Sequence, residues 1–191
     1  DASSYDDLLN RLALSSFAAQ MCVNVWFMPH PIWEQYDHDK NNKHQLLPEG
    51  EQERIATQLR EIVNFRYRLL PYIYATTAAV SFRHDTMLRS LMFDFPQDAR
   101  VACMADSFLF GRSLLVCPVT EPMYFGPDST PLPDTRKTRD VYLPAGTLWY
   151  DFWTHKALPG GRDTVCDAPL ERIPLFVRAG AILPLSEPLA Y

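Results

Sequence analysis

The sequence lacks a long apolar run, and no hydrophobic segment approaches the roughly 20 residues that a membrane-spanning helix requires. It also lacks an excess of basic residues, since 18 Lys and Arg stand against 23 Asp and Glu for a net charge of −5. This charge argues against nucleic acid or an anionic membrane as a partner. The start, Asp1–Asp7, has neither an initiator Met nor the basic segment of a signal peptide, so we expect a cut inside a longer protein.

Cysteine is scarce, and its spacing is not that of a metal site. The four cysteines form no C-x-x-C pair, and no two of the five histidines have the helical H-x-x-x-H spacing. A zinc site is therefore not expected. Cys22 and Cys117 stand in apolar runs, which is typical of small buried hydrophobic residues.

What the chain has is material for a packed core. Apolar residues make up 47% and aromatic residues 13% of its 191 residues, which indicates one large or two small globular domains. Helical spacing of leucines predicts an amphipathic helix over 5–20, with Ser4 and Asp7 as a loose capping box. The β-branched and aromatic segment 22–28 predicts a buried strand that ends at Pro29.

The next segment, 29–48, has no clear hydrophobic period, and a long irregular stretch in a compact domain is usually functional or mobile. A second helix is predicted from Glu49 onward, with a kink at Pro71. The residues predicted to form its buried stripe are Ile55, Leu59, Ile62, Val63, Leu69, Leu70 and Ile73.

The residue composition and the hydrophobic pattern of the sequence change after about residue 85. Short strand-like segments follow, separated by Pro, Gly and Asp, which predicts an antiparallel β-sandwich over 86–191. Residues 1–85 offer one strand between two helices, which makes sense as the last part of a (β/α)8 barrel whose other strands are elsewhere. The expected strand segments are 87–95, 114–119, 140–144, 147–153 and 173–183.

Between residues 66 and 183 the chain has a series of short segments in a fixed order. They are RYRLLPYIY (66–74), RSLMFDFPQD (89–98), SFLFGRSLLVCPV (107–119), VYLPAG (141–146), WYD (149–151), GG (160–161), APL (168–170) and IPLFVRAG (173–180). Each segment alone is weakly specific, but the order of the whole series resembles that of glycoside hydrolase family 31, the retaining α-glycosidases. The resemblance implies the end of the catalytic barrel followed by the proximal C-terminal β-sandwich.

The resemblance also implies a catalytic residue at the start of the chain. The family's acid/base Asp follows the sixth barrel strand in a pattern similar to G-D-N-x-S-x-W-x-x-L. Asp1, Ser4 and Leu9 match this pattern, whereas Ala2 and Asp6 replace the usual Asn and Trp. Barrel enzymes place such carboxylates at the C-terminal ends of strands, and a position directly before a helix fits that location.

Retaining hydrolysis needs two carboxyl groups, one as nucleophile and one that protonates the leaving oxygen and then activates water. The resemblance places the nucleophile on an earlier strand, outside this chain. Segment 29–48 departs from the family's usual turn, so a remodelled sugar pocket is expected. His30, Trp33 and, less closely matched, His44 are the candidate sugar contacts, since imidazole hydrogen-bonds hydroxyls and indole covers apolar sugar faces.

The expected function is therefore retaining hydrolysis of an α-linked carbohydrate without a metal or other cofactor. The expected partners are that substrate and the remainder of the same barrel, and the chain alone is expected to be inactive. Two alternatives stay open. One is a lyase of the same family that eliminates instead of hydrolysing, and the other is a non-catalytic carbohydrate-binding or scaffold relative, which the departures at Ala2 and Asp6 favour.

Overall fold

The computed structural model describes residues 4–22 and 52–187, so the predicted strand over 22–28 and the segment 29–48 lie outside the described residues, apart from Cys22. The helices are α1 (Tyr5–Ser15), α2 (Gln52–Arg68), α3 (Leu70–Arg83) and α4 (Leu91–Asp94), with 3-10 turns at Ala99–Cys103 and Pro127–Ser129. The strands are β1 (Leu88–Arg89), β2 (Phe108–Phe110), β3 (Leu114–Val116), β4 (Thr138–Leu143), β5 (Leu148–Asp151), β6 (Ala157–Pro159), β7 (Arg162–Asp167) and β8 (Leu175–Arg178).

The strands form two antiparallel sheets. One has six strands in the order β1-β2-β3-β8-β5-β6, and the other consists of β4 and β7. The mainly antiparallel second part of the chain was predicted from the sequence, and the structure confirms it.

The six-stranded sheet is buried on both faces, and alternate residues of its central strands belong to two different hydrophobic cores. Phe110, Leu114 and Leu175 face a core shared with α1, α2 and α3. Their neighbours Leu109, Leu115 and Phe176 belong to a second core that includes residues of β4 and β7. Because successive side chains of a strand point to opposite faces, the sheet lies between the helices and the small sheet. This explains the unbroken apolar run of β3.

The predicted long helix is divided into α2 and α3 at Leu69, with Pro71 in the first turn of α3. Proline is tolerated there because the first turn has no intrahelical partner for its missing N–H. Most of the predicted stripe is buried, but Val63 and Leu70 are 37% and 43% exposed. With Tyr67 and Tyr74 they form an exposed apolar stripe at helical spacing, which we call the outer stripe.

The prediction of a strand over 87–95 is wrong. Only Leu88–Arg89 is extended, and α4 follows because Ser90 caps it through a bond from the Met92 amide. Arg89 then joins the carboxylates of Asp85 and Asp94 at 2.6 and 2.7 Å. Hydrogen bonds from the Arg112 side chain and the Thr86 amide lower the pKa of Asp85 to about 2.

Tyr72 of α3 connects the helices to the sheet. Its hydroxyl donates to the Phe110 carbonyl at 2.8 Å and accepts the Ser113 amide at 3.2 Å. Gly111 lies between these two residues with φ of +60°, and a side chain there would meet the Tyr72 hydroxyl. The helices and the sheet are therefore held together by the hydrogen bonds of Tyr72 as well as by apolar packing.

The cysteines differ in the reactivity that the fold allows them. Burial raises the pKa of the Cys117 thiol to about 12 and that of Cys166 to about 11. Cys22 and Cys103 are exposed, so the interpretation of Cys22 as a buried residue is wrong, whereas that of Cys117 is confirmed. Because the thiolate is the reactive form, we expect iodoacetamide at about pH 8 to modify Cys103 but not Cys117 or Cys166 until the protein is unfolded. Peptide mass spectrometry checks this, and rapid native labelling of Cys117 would contradict the packing described.

Candidate active site

The four predicted site residues, Asp1, His30, Trp33 and His44, lie outside the described residues, so their roles stay predictions. What the structure does describe is the helix that directly follows Asp1 in the sequence. Asp1 stands three positions before Ser4, which is the N-cap of α1.

The Ser4 half of the predicted capping box of α1 is confirmed. The Ser4 side chain accepts the Asp7 amide at 3.2 Å, which satisfies one of the free donors of the first turn. The Tyr5 amide, another of these donors, bonds the Ser129 hydroxyl at 3.2 Å. The second bond reaches across 124 residues of sequence to the loop between β3 and β4, which a sequence pattern could not reveal.

Asp6 makes the most extensive polar contact of this helix start. Its Oδ2 accepts the amides of Met123 and Tyr124 at 2.6 and 2.8 Å, and its Oδ1 accepts the amide of Phe125 at 2.9 Å. The residue is only 1% exposed. A buried carboxylate is costly unless it is fully hydrogen-bonded, and three consecutive backbone donors meet that need. In the sequence Asp6 stands out only as a departure from the family's Trp, and no sequence pattern indicates this contact.

Tyr5 supplies a buried aromatic ring at the same place. Its ring lies 5.5 Å from that of Phe125, centroid to centroid, and its hydroxyl bonds the Gln58 side chain of α2. Gln58 in turn contacts Glu171 at 3.4 Å. The family pattern has Trp one position later, where this chain has Asp6. The aromatic residue is therefore present next to the expected position, and the charged residue has its own bonding partners.

A cleft of about 320 Å³ lies between α1 and the segment 119–122. Asp7 and Arg11 line it and form an ion pair at 2.5 Å, and this hydrogen bond raises the pKa of Arg11. Asp6 also lines the cleft, but both its oxygens are taken by backbone amides. Both acids of the first turn are thus engaged in structural contacts. Neither is a good substitute for the catalytic carboxylate expected at Asp1.

Within residues 4–22 and 52–187, no group of three or more His, Cys, Asp or Glu side chains is arranged to hold a metal ion. None of the helices in these ranges is both long and apolar enough to cross a membrane. The acidic residues of the helix start contact other protein groups, namely backbone amides and the Arg11 side chain.

Comparison with known proteins identifies the family. Residues 84–183 match the sequence model of the glycosyl hydrolase family 31 C-terminal domain, which is more than half of the chain. The chain belongs to glycoside hydrolase family 31. This family membership was predicted from the ordered segments between residues 66 and 183, and it is confirmed.

Curated relatives in the family include an α-xylosidase of Saccharolobus solfataricus, 39% identical over 64% of this chain and 15% of the relative. An α-glucosidase of Aspergillus oryzae is 35% identical over 65% of this chain and 12% of the relative. The crystal structure of a family 31 α-xylosidase from Xanthomonas citri superposes with a TM-score of 0.74 at 32% identity, over 95% of this chain and 17% of that one. Other solved structures of similar fold hold sugars, among them glucose and a pentasaccharide.

The chain thus spans only about an eighth to a sixth of the length of these relatives. The similarity to the Xanthomonas structure extends beyond the matched C-terminal domain to nearly the whole chain.

Proposed function

We propose that the protein to which this chain belongs hydrolyses α-glycosidic bonds by a retaining double displacement. The observation that carries the proposal is the match of residues 84–183 to the family 31 C-terminal domain. Relatives named as an α-xylosidase and an α-glucosidase, each at least 35% identical, support a glycosidase activity. They do not agree on the sugar, so the substrate class is α-glycosides without a further choice among xylosides and glucosides.

In this proposal, residues 1–85 are the last part of a (β/α)8 barrel and 86–191 are the proximal sandwich. The outer stripe supports the proposal that another structural element packs against these helices. Within the stripe Tyr74 is 80% exposed, and Phe82, also on α3, is 84% exposed. Contiguous exposed apolar side chains of this kind mark a surface that another element covers. The remainder of the same barrel is the partner proposed for it.

Asp1 is the proposed acid/base. In the first step it protonates the leaving oxygen while a carboxylate outside this chain attacks the anomeric carbon, and the glycosidic bond breaks. In the second step the Asp1 carboxylate takes a proton from water, which attacks the covalent intermediate and releases the sugar with its α configuration retained. His30, Trp33 and His44 are proposed sugar contacts.

Product analysis distinguishes the two alternatives from hydrolysis. A family lyase would release an anhydro-sugar, and a non-catalytic relative would release nothing. The departure at Asp6 loses force as an argument for the non-catalytic alternative, because Asp6 has three backbone partners of its own. The departure at Ala2 keeps that alternative open to test.

The test is product analysis with the whole enzyme, using aryl α-xyloside and aryl α-glucoside in parallel. We expect proton nuclear magnetic resonance to show a free reducing sugar that appears first as the α anomer and only later equilibrates. A β anomer formed first would contradict retention, an anhydro-sugar would identify a lyase, and no turnover of any α-glycoside would support the scaffold.

A further inference from the structure

The adjacent acids Asp6 and Asp7 stand in the same helix turn but have different surroundings. Asp7 is paired with Arg11 beside the cleft, and its side chain is 27% exposed. Asp6 points into the protein, where three consecutive amides of the loop between β3 and β4 surround its two oxygens. We call residues 123–125 the clamp loop. A favourable helix charge explains Asp7, but it does not explain three buried bonds to a distant loop.

The clamp loop has its own support, so it is a firm base for the contact. The Leu132 amide donates to the Tyr124 carbonyl at 2.8 Å, and Phe125 pairs with Pro131 in a short antiparallel bridge. The Lys137 ammonium bonds the carbonyls of Met123 and Leu132 and lies 4.7 Å from the centroid of the Tyr124 ring. The loop is thus held in place by several contacts with residues 131–137.

The opposite side of the contact is the first turn of α1. Its backbone is fixed to the loop region by Asp6, by the Tyr5 amide on Ser129 and by the Tyr5 ring on Phe125. Asp1 lies five positions before Asp6 in the sequence. An acid/base group must be held within about 0.5 Å of its productive position, and residues around it supply that constraint.

We propose that Asp6 is a positioning residue for the acid/base carboxylate, through which the sandwich loop at 123–125 fixes the helix start that follows Asp1. The inference rests on the proposed function and goes beyond it, because it gives the C-terminal sandwich a part in aligning the barrel's acid. Asp6 itself exchanges no proton with the substrate. Its carboxylate is fully used by the three amides.

The test compares Asp6→Asn with Asp7→Asn in the whole enzyme. Both variants remove one negative charge from the same helix turn and keep the side-chain size. Asn at position 6 presents an amide N–H₂ to at least one of the backbone donors, so the contact cannot be kept intact. For each variant, kcat/KM is measured for an alkyl α-glycoside, which needs protonation of its leaving group, and for the corresponding α-glycosyl fluoride, which does not.

For Asp6→Asn we expect kcat/KM of the alkyl glycoside to fall by about 10- to 100-fold while the fluoride is nearly unchanged, since small misplacements of a reacting group have effects of this size. Asp7→Asn is expected to leave both values within about 2-fold, because it removes a partly exposed ion pair within a single helix, and such pairs contribute little. The ratio of the two kcat/KM values does not depend on the folded fraction, so partial misfolding cannot imitate the result.

If Asp6→Asn gives no soluble enzyme, Asp6→Glu is used instead. It keeps the charge, adds one methylene between α1 and the clamp loop, and is expected to shift the same ratio in the same direction. An unchanged ratio in the soluble variant, or an equal fall for both substrates, would overturn the positioning role and leave Asp6 as a stabilising contact. That outcome is distinct from failure of the proposed function, in which the unmodified enzyme would not hydrolyse α-glycosides at all.

Discussion

Substitution of Asp1 by Asn in the whole enzyme is expected to lower kcat/KM for alkyl α-glycosides by about 10²–10⁴, the usual contribution of a general acid. For an α-glycosyl fluoride, kcat/KM is expected to stay near the unmodified value, because this constant reports the first irreversible step and fluoride leaves without a proton. The asymmetry follows from the role proposed for Asp1, since only steps that need its proton are slowed.

The same substitution is expected to lower kcat for both substrates. Asn cannot activate water, so hydrolysis of the covalent intermediate becomes the slow step and the intermediate accumulates. Rapid-mixing measurements with the fluoride are expected to show a burst of fluoride release followed by slow turnover. The matched control is Asp7→Asn, which changes the charge equally at a residue whose carboxylate pairs with Arg11 one turn along the same helix. Equal slowing of kcat/KM for all leaving groups would indicate that Asp1 is structural.

The 191-residue chain by itself is expected to show no hydrolysis of any aryl α-glycoside above the buffer blank. Retaining catalysis needs two carboxyl groups about 5–5.5 Å apart, and this chain supplies one candidate. The described acids nearest to it along the chain are not replacements, because Asp6 is bonded to three amides and Asp7 to Arg11. The expected loss of activity is therefore complete.

The isolated chain is also expected to associate in solution, because the outer stripe and Phe82 leave large apolar side chains exposed. Light scattering or analytical ultracentrifugation measures this, alongside assays against the whole enzyme at equal molar concentration. Sustained turnover by a purified, monomeric chain would contradict both the proposal that the nucleophile lies outside this chain and the proposal that residues 1–85 belong to a larger barrel.

Features that depend on neighbouring residues could be predicted from the sequence. The cap at Ser4 is one, since a hydroxyl and the amide three residues on lie within one helix turn. The antiparallel character of the second part is another, because short strands between Pro, Gly and Asp are typical of it. Strands β2, β6 and β7 lie outside the predicted strand segments. For β6 and β7 the reason is that Ala157–Pro159 and Arg162–Asp167 have many exposed side chains and show little apolar patterning.

Features that depend on distant partners could not be predicted. The run 87–95 has the apolar pattern of a strand, but the strand ends at Arg89. Ser90 then caps the short helix α4, and Arg89 pairs with the carboxylates on either side of it in sequence, Asp85 and Asp94. Val63 and Leu70 were assigned to the buried stripe because a hydrophobic period does not distinguish a face packed in this chain from one left exposed in it. The role of Asp6 depends on a loop 117 to 119 residues away, which no local pattern indicates.

The most direct test of the account is addition of azide to the Asp1→Asn enzyme during hydrolysis of an α-glycosyl fluoride. Azide needs no general base, so it is expected to attack the accumulated covalent intermediate, restore turnover and give a glycosyl azide with retained α configuration. Nuclear magnetic resonance of the product reads the configuration. A β-glycosyl azide would show direct single displacement, and no response to azide would place the acid/base outside residues 1–191, in contradiction to the role proposed for Asp1.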